Sequence, residues 1–355
     1  MRMMHVIGSG RMGGAERFFI RLTGALAREG QEVITVTRPG SELNDHLDAG
    51  VEQLHVPMRG PWDLLSRLKL RKLMERHRPS IVQTYMGRAT SVTRIHRSDV
   101  LHVARLGGYY RVDTYRHADC WVGNTRGICD YLIDQGLPSR SVFQIGNFVD
   151  RKSAVTQAHR TELRQRYGLC EDDRVIVAMG RLHRNKAFDV LLEAFSRLSI
   201  DTDGRRTVLL LLGDGPLRST LGQQAVSLGV SDRVHMPGWQ HDIAAHLQLA
   251  DVFVCSSRHE PLGNVILEAW SEAVPVISTR AAGPSELIED AETGHLVPVD
   301  DPDALAQAIA KLLAANPSER EALCSRARMV LDRKFSEAAI VGAYLDLYRR
   351  LRRIG

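Results

Sequence analysis

The stretch Asp251-Val252-Phe253-Val254-Cys255-Ser256-Ser257-Arg258-His259-Glu260-Pro261-Leu262-Gly263-Asn264-Val265-Ile266-Leu267-Glu268-Ala269-Trp270-Ser271-Glu272-Ala273-Val274-Pro275-Val276-Ile277-Ser278 decides the fold class. It runs from a short apolar segment (Asp251 to Cys255) through a polar loop into an amphipathic stretch (about Asn264 to Glu272) and out into a second apolar segment (Val274 to Ser278). Short strands that are apolar almost without break belong to parallel sheets covered on both faces. A strand, a helix and a strand in that order form the unit from which such sheets grow.

The same alternation extends outward in both directions. Upstream in the second half, Arg174 to Met179 reads as a strand, Val190 to Leu198 as a helix and Thr207 to Leu212 as a strand. In the first half, His5–Ile7, Glu32–Thr37, Ser80–Thr84, His102–Leu106, Cys120–Gly123 and Val142–Ile145 read as strands, with helices at Ala15–Arg28 and Trp62–His77. After Asp301 the chain reads as helical to its end, with Pro302 suited to a first helical turn and Pro317 separating two helices. The expectation is an α/β protein of two doubly wound, Rossmann-like parallel-sheet domains facing across a cleft. Residues 1–165 would form the first and 166–335 the second, with a C-terminal helix at 336–355 packing back on the first. The polar segment from Asp150 to Gly168 is the expected boundary.

Composition supports this class. The chain has 355 residues, 44% hydrophobic and 25% charged, which excludes disordered and collagen-like chains and leaves room for two cores. Five cysteines (Cys120, Cys129, Cys170, Cys255, Cys324) lack metal-ligand or redox spacing, so reduced thiols in a cytoplasmic protein are expected, and no zinc site. The start of the chain lacks the apolar run of a signal peptide, and nothing approaches a membrane span. Charge is uneven. Residues 1–165 carry 25 Lys+Arg against 16 Asp+Glu, and residues 166–355 carry 22 against 26, so the first part is +9 and the second −4. A basic half points either to an anionic partner or to a compositional bias.

Ligands of doubly wound sheets bind beyond the carboxyl ends of the strands, so the loops there are the candidates. Gly8-Ser9-Gly10-Arg11-Met12-Gly13 follows the first strand and matches the dinucleotide fingerprint. No acid ends the second strand; Thr37-Arg38-Pro39-Gly40-Ser41 stands there and would suit the extra phosphate of NADP. One reading is therefore an NADP-dependent oxidoreductase using Gly8, Gly10 and Gly13. The other is that Gly13-Gly14-Ala15-Glu16 opens the helix and presents its amides to a different phosphate or sugar. In the second half, Gly180-Arg181-Leu182-His183-Arg184-Asn185-Lys186 sets two cations on one loop, which either grip a pyrophosphate or form a solvated surface. Gly213-Asp214-Gly215-Pro216 ends the next strand. Glu260 and Glu268 flank Leu262, Gly263 and Asn264, whose amides open a helix. The two carboxylates would accept from the hydroxyls of a sugar nucleotide, or serve as a helix-dipole partner and a surface acid.

Together these segments resemble the retaining glycosyltransferases of family 4, built on the GT-B fold. Glu260 to Glu268 is similar to that family's Glu, seven residues, Glu signature. Gly180-Arg181-Leu182 with Lys186 resembles its phosphate loop, Ile145-Gly146-Asn147-Phe148-Val149-Asp150 the close of its first domain, and Gly13-Gly14-Ala15-Glu16 its N-terminal glycine loop. The likeness implies a metal-independent hexosyl- or heptosyltransferase without a cofactor, moving sugar from a nucleotide-diphosphate donor to a glycan or lipid-linked acceptor in lipopolysaccharide or surface-polysaccharide synthesis. It implies that Arg181 and Lys186 bind the donor diphosphate, Glu268 the ribose and Glu260 the donor sugar. Glu260, Lys186 and Arg181 are then the catalytic set. Gly180, Gly213, Leu262, Gly263 and Asn264 line the nucleotide-sugar site, and Gly13 and Gly14 face donor and acceptor. It also implies attack on the face from which the leaving group departs, with the leaving phosphate as base. Many members carry a histidine in a first-domain loop; here Tyr85-Met86-Gly87-Arg88 and Gly107-Gly108-Tyr109 end the corresponding strands, so Glu16, Arg88 and Tyr109 are acceptor-side candidates.

Two D-x-D tripeptides, Asp201 to Asp203 and Asp301 to Asp303, read as solvent loops rather than metal sites. Arg59 to Arg78 holds seven Lys/Arg among Trp62, Leu64, Leu65, Leu68, Leu70, Leu73 and Met74. Such a helix either lies on anionic lipid or packs its leucines on the sheet. Arg349, Arg350, Arg352 and Arg353 form a second basic cluster. The expected location is cytoplasmic, with peripheral contact to the inner face of the membrane. Nucleic acid is not an expected partner, because the aromatics do not interleave with the basic residues as a stacking platform would require.

Overall fold

The computed structural model describes residues 1–95, 99–149, 155–198 and 205–354. The chain divides into two compact units, Met1–Phe148 with Phe335–Gly355, and Val149–Lys334.

In the first unit the chain runs β1 (Arg2–Ile7), α1 (Gly14–Arg28), β2 (Glu32–Thr37), β3 (Glu52–His55), α2 (Leu64–His77), β4 (Ile81–Tyr85), α3 (Met86–Val92), β5 (Leu101–Leu106), β6 (Cys120–Gly123), α4 (Arg126–Asp134) and β7 (Val142–Gln144). All pairings are parallel, in the order β3-β2-β1-β4-β5-β6-β7. Side chains alternate between two cores, as the pleat requires. Met3 and Ile7 face α1, with Phe18, Phe19 and Leu22. Met4 and Val6 face α2, with Leu70 and Met74.

The second unit runs α5 (Gln157–Arg166), β8 (Arg174–Met179), α6 (Phe188–Arg197), β9 (Thr207–Leu212), α7 (Arg218–Ser227), β10 (Val234–Gly238), α8 (Ile243–Leu247), β11 (Val252–Cys255), α9 (Asn264–Ser271), β12 (Val276–Thr279), α10 (Ala282–Leu287), β13 (His295–Val297), α11 (Pro302–Ala314) and α12 (Pro317–Lys334). Its sheet, also parallel, has the order β10-β9-β8-β11-β12-β13. Every residue of β9 is buried, and each of its leucines contributes about 1.5 to 3 kcal/mol of transfer free energy.

The units change at Val149, upstream of the expected 165/166 boundary. Helix α5 belongs with the second unit because it packs on α8, where Tyr167 Oη bonds His246 Nε2 at 2.9 Å. The last helix, α13 (Glu337–Ile354), belongs to the first unit. Its Tyr348 donates to Gln83 Oε1 at 2.7 Å, Gln83 donates to Tyr85 Oη at 2.7 Å, and Tyr85 Oη meets His5 Nδ1 at 2.9 Å. This chain of fully buried bonds ties the end of the sequence to β4 and β1.

Strands β3, β10 and β13, absent from the sequence expectation, all sit at sheet edges. Helix α2 departs from both of its alternatives. Leu70 and Met74 pack inward and Leu73 is half-buried, whereas Leu64, Leu65, Leu68 and Trp62 just before the helix are exposed. Asp63 caps it, accepting from Ser66 N at 3.0 Å and Ser66 Oγ at 2.7 Å, and these bonds hold its pKa down to about 2. Among the described residues, no helix is long and apolar enough to cross a membrane.

Candidate active site

Each sheet reverses its winding once, between β1 and β4 in the first and between β8 and β11 in the second. Loops diverge at such a point and leave room for a ligand. In the second unit the loops after β8 and β11 hold Lys186 and Glu260, and the two side chains form an ion pair. Burial works against the Lys186 ammonium, but Glu260, then Cys255, and also Glu268 favour it and together prevail, so its pKa lies above the ordinary lysine value. Lys186 is therefore charged throughout the neutral range. Glu268, in the second turn of α9, lies within electrostatic reach of that ammonium.

The loop after β8 is held by the loop after β11. The carbonyl of Asn185 accepts from the amides of Arg258 at 2.8 Å and His259 at 3.2 Å. Ser256 Oγ donates to the Lys186 carbonyl at 2.8 Å. Arg258 forks onto both oxygens of Asp189 at 2.9 and 2.7 Å, reaches Asp300 at 2.5 Å and donates to the Arg184 carbonyl at 3.0 Å. A bidentate guanidinium fixes direction as well as distance. Arg258 thus locks the loop that carries Lys186 to the start of α6.

Two glycines let the strand ends close up. Gly213 has φ +133, and a Cβ there would lie 2.0 Å from the Gly180 carbonyl oxygen. Gly180, at φ +150, lies under the Lys186 stem, 3.1 Å from its Cε if given a Cβ. The Gly180 amide donates to the Leu212 carbonyl at 2.9 Å and the Gly213 amide to the Gly238 carbonyl at 2.8 Å, so both glycines supply space where the strand ends meet. Gly263, at φ +97, is the N-cap of α9 and gives no side-chain cap, so the positive end of that helix opens on the loop. Leu262 is buried, with its backbone against Gly283. Arg181 is exposed on the same loop, with no ion pair among the described residues. The second unit therefore brings together Lys186, Glu260, Glu268, Gly180, Gly213 and the Leu262-Gly263-Asn264 turn. Arg258 and Ser256 were missed, because nothing in the local spacing of Ser256-Ser257-Arg258 marks partners so distant in sequence.

The first unit carries the remaining candidates on neighbouring strand ends. Gly13 is the N-cap of α1, and Glu16, buried, folds back so that a Cβ on Gly13 would be 2.8 Å from its Oε2. Arg88, exposed at the start of α3, donates to the Gly8 carbonyl at 3.3 Å. Tyr109, following β5, packs edge-on against Tyr131 at 5.4 Å. Asp150, Asp201 and Asp203 lie outside the described residues. Asp301 caps α11, accepting from Ala304 N at 2.9 Å, and Asp303 pairs with Arg197.

Residues 173–315 match the family described as Glycosyl transferases group 1, and residues 12–153 match Glycosyltransferase Family 4. The lipopolysaccharide core biosynthesis glycosyltransferase LpsE of Rhizobium meliloti (strain 1021) is 37% identical over 95% of this chain and 96% of its own length. LpsD of the same organism, described in the same words, is 33% identical over 99% and 98%. The crystal structure of Anabaena Alr3699/HepE in complex with UDP and glucose superposes with a TM-score of 0.84 at 20% identity, covering 99% of this chain and all of that one, and so shares the fold. None of these matches is an oxidoreductase, and the NADP reading of the Gly8-Gly10-Gly13 loop has no support. With one family model matched in each half and a relative 37% identical over 95% of the chain, the chain belongs to the group 1, family 4 glycosyltransferases.

Proposed function

We propose that this glycosyltransferase moves a hexose or heptose, with retention, from a nucleotide-diphosphate sugar to a glycan or lipid-linked acceptor in lipopolysaccharide core assembly. The observation that carries the reading is the pairing of Lys186 with Glu260 at the switch point of the second sheet, with Glu268 and the amides of α9 beside them. Its relatives LpsE and LpsD support the choice of pathway.

Departure of a nucleoside diphosphate from an anomeric carbon builds negative charge on the leaving oxygens, and fixed positive groups aimed at that charge lower the barrier. Lys186, kept charged, Arg181, exposed on the same loop, and the amide end of α9 are those groups. Glu260 holds Lys186 in place until the donor arrives and then accepts from donor-sugar hydroxyls; Glu268 accepts from the ribose. The acceptor hydroxyl attacks on the departing face and gives its proton to the leaving phosphate. With the charge neutralised by side chains, the reaction needs no divalent ion, and activity is expected to be unchanged by EDTA.

Contact with the membrane is read from α2. Trp62 is 85% exposed and Leu65 77%, in a segment with Arg59, Lys69, Arg71, Lys72 and Arg76. Apolar side chains that enter the headgroup region beside cations that attract anionic lipid suit an enzyme whose acceptor is lipid-linked.

The test is product formation by mass spectrometry from sugar nucleotides and truncated lipopolysaccharide. Wild type is expected to extend the acceptor by one sugar, and Lys186→Ala to lose about 10²- to 10³-fold in turnover, the typical effect of one lost oxyanion donor. Wild-type turnover in that variant, with its melting temperature also unchanged, overturns the assignment.

A further inference from the structure

At the carboxyl end of β5 lies a group of buried polar side chains that donor chemistry does not use. Arg105 is 3% exposed. It donates from Nε to Tyr344 Oη at 3.0 Å and from Nη2 to Asn147 Oδ1, and its guanidinium carbon lies 4.0 Å from the centroid of the Phe18 ring. Among the described residues no carboxylate forms an ion pair with it, and Nη1 makes no hydrogen bond. A guanidinium buried without a counter-charge is expensive unless a ligand supplies one. Asn124, just after β6, is 5% exposed, and its Oδ1 is buried with no hydrogen-bond partner.

Gly107 stands between them. A Cβ there would lie 3.5 Å from Asn124 Nδ2 and 3.8 Å from Arg105 Nη1. Its φ is outside the left-handed region, so the backbone does not require glycine. The missing side chain instead leaves a gap with an unused cationic donor, Arg105 Nη1, on one side and the amide nitrogen of Asn124, a second donor, on the other. Glu16, buried, and Tyr110 are neighbours, since Tyr110 feels the charges of both Arg105 and Glu16.

We propose that this gap is a subsite for an acidic sugar, one bearing a carboxylate or a phosphate. Arg105 Nη1 and Asn124 Nδ2 both donate to the anion. The proposal deepens the transferase reading, on which it rests for taking that sugar to be part of the acceptor.

The probes are sodium glucuronate, glucose 6-phosphate and uncharged glucose, followed by ligand-observed NMR on the full chain. Wild type is expected to bind at least one of the two acids about tenfold or more tightly than glucose, and the tighter of the two names the charged group. Gly107→Ala meets only ordinary contact distances, so it should fold with an unchanged melting temperature yet lose acid binding about tenfold or more. Arg105→Met should abolish the preference for acids over glucose. Glucose binding as tightly as the acids, or Gly107→Ala leaving their binding untouched, overturns the proposal. UDP, GDP and ADP binding measured in the same samples reports on the second unit, so failure there counts against the transferase reading and is distinguishable from failure here.

Discussion

Arg258 shows how a residue that touches no ligand in this reading can govern one that does. Its fork onto Asp189, and its bonds to Asp300 and the Arg184 carbonyl, hold the loop that carries Lys186. Arg258→Ala is expected to weaken donor binding about tenfold while Lys186 stays charged, because misplacement costs less than removal; calorimetric titration of the sugar nucleotide measures it, and an unchanged affinity would refute the positioning role. Gly213 makes a stricter case. Gly213→Ala drives a Cβ to 2.0 Å from the Gly180 carbonyl, a clash with backbone, and should destabilise the protein by about 3 kcal/mol or more, read from a denaturant midpoint. Legibility at this scale follows sequence distance. Lys186 and Glu260 were visible because each sits in its own strand-loop-helix pattern. Arg258 was invisible because its acidic partners lie 69 and 42 positions away. The partners of the Gly180 and Gly213 amides could not be read either, because the sequence does not say which carbonyl a loop amide will meet.

Among elements, the central strands could be read from their apolar runs because both faces are covered. Of the four edge strands, only β7 was read, and β3, β10 and β13 were not. β3 (Glu52–His55) has no fully buried residue, and β10 is buried only at Val234, so neither carries the hydrophobic signal. Helix α2 had two readings, and its leucines divide between them, some under the helix and others in solvent. Its exposed face leads to a prediction: Trp62→Ser with Leu65→Ser should reduce co-sedimentation with anionic vesicles several-fold and leave transfer to a soluble acceptor unchanged. Equal binding by this double variant would remove α2 as the contact. Helix α13 secures the first unit by a buried hydrogen bond, and Tyr348→Phe leaves Gln83 Oε1 without its donor, which should lower stability by about 1 to 3 kcal/mol in urea unfolding.

For the molecule as a whole, two buried histidines set the acid limit. Burial pushes the pKa of His5 and of His102 down to about 3 from the ordinary 6.5. The unfolded chain therefore binds protons that the folded one refuses. Stability should be full above pH 6.5 and fall steadily as pH drops from 6.5 toward 3; a urea midpoint that stays level from pH 7 to 4 would contradict the burial of these rings. Two parallel sheets followed from the alternation of strand and helix, and the family from the resemblance of segments such as Glu260 to Glu268 and Gly180 to Lys186 to known motifs. The exact turnover point between the units did not, because the packing of α5 on α8 is a tertiary choice that polar composition does not reveal. The central claim is that the second unit grips a nucleoside diphosphate through Lys186. Titration calorimetry of UDP, GDP and ADP into wild type and Lys186→Ala tests it most directly: one nucleotide should bind the wild type and bind the variant about 100-fold more weakly, whereas equal affinity for both proteins, or no nucleotide binding at all, would contradict the account.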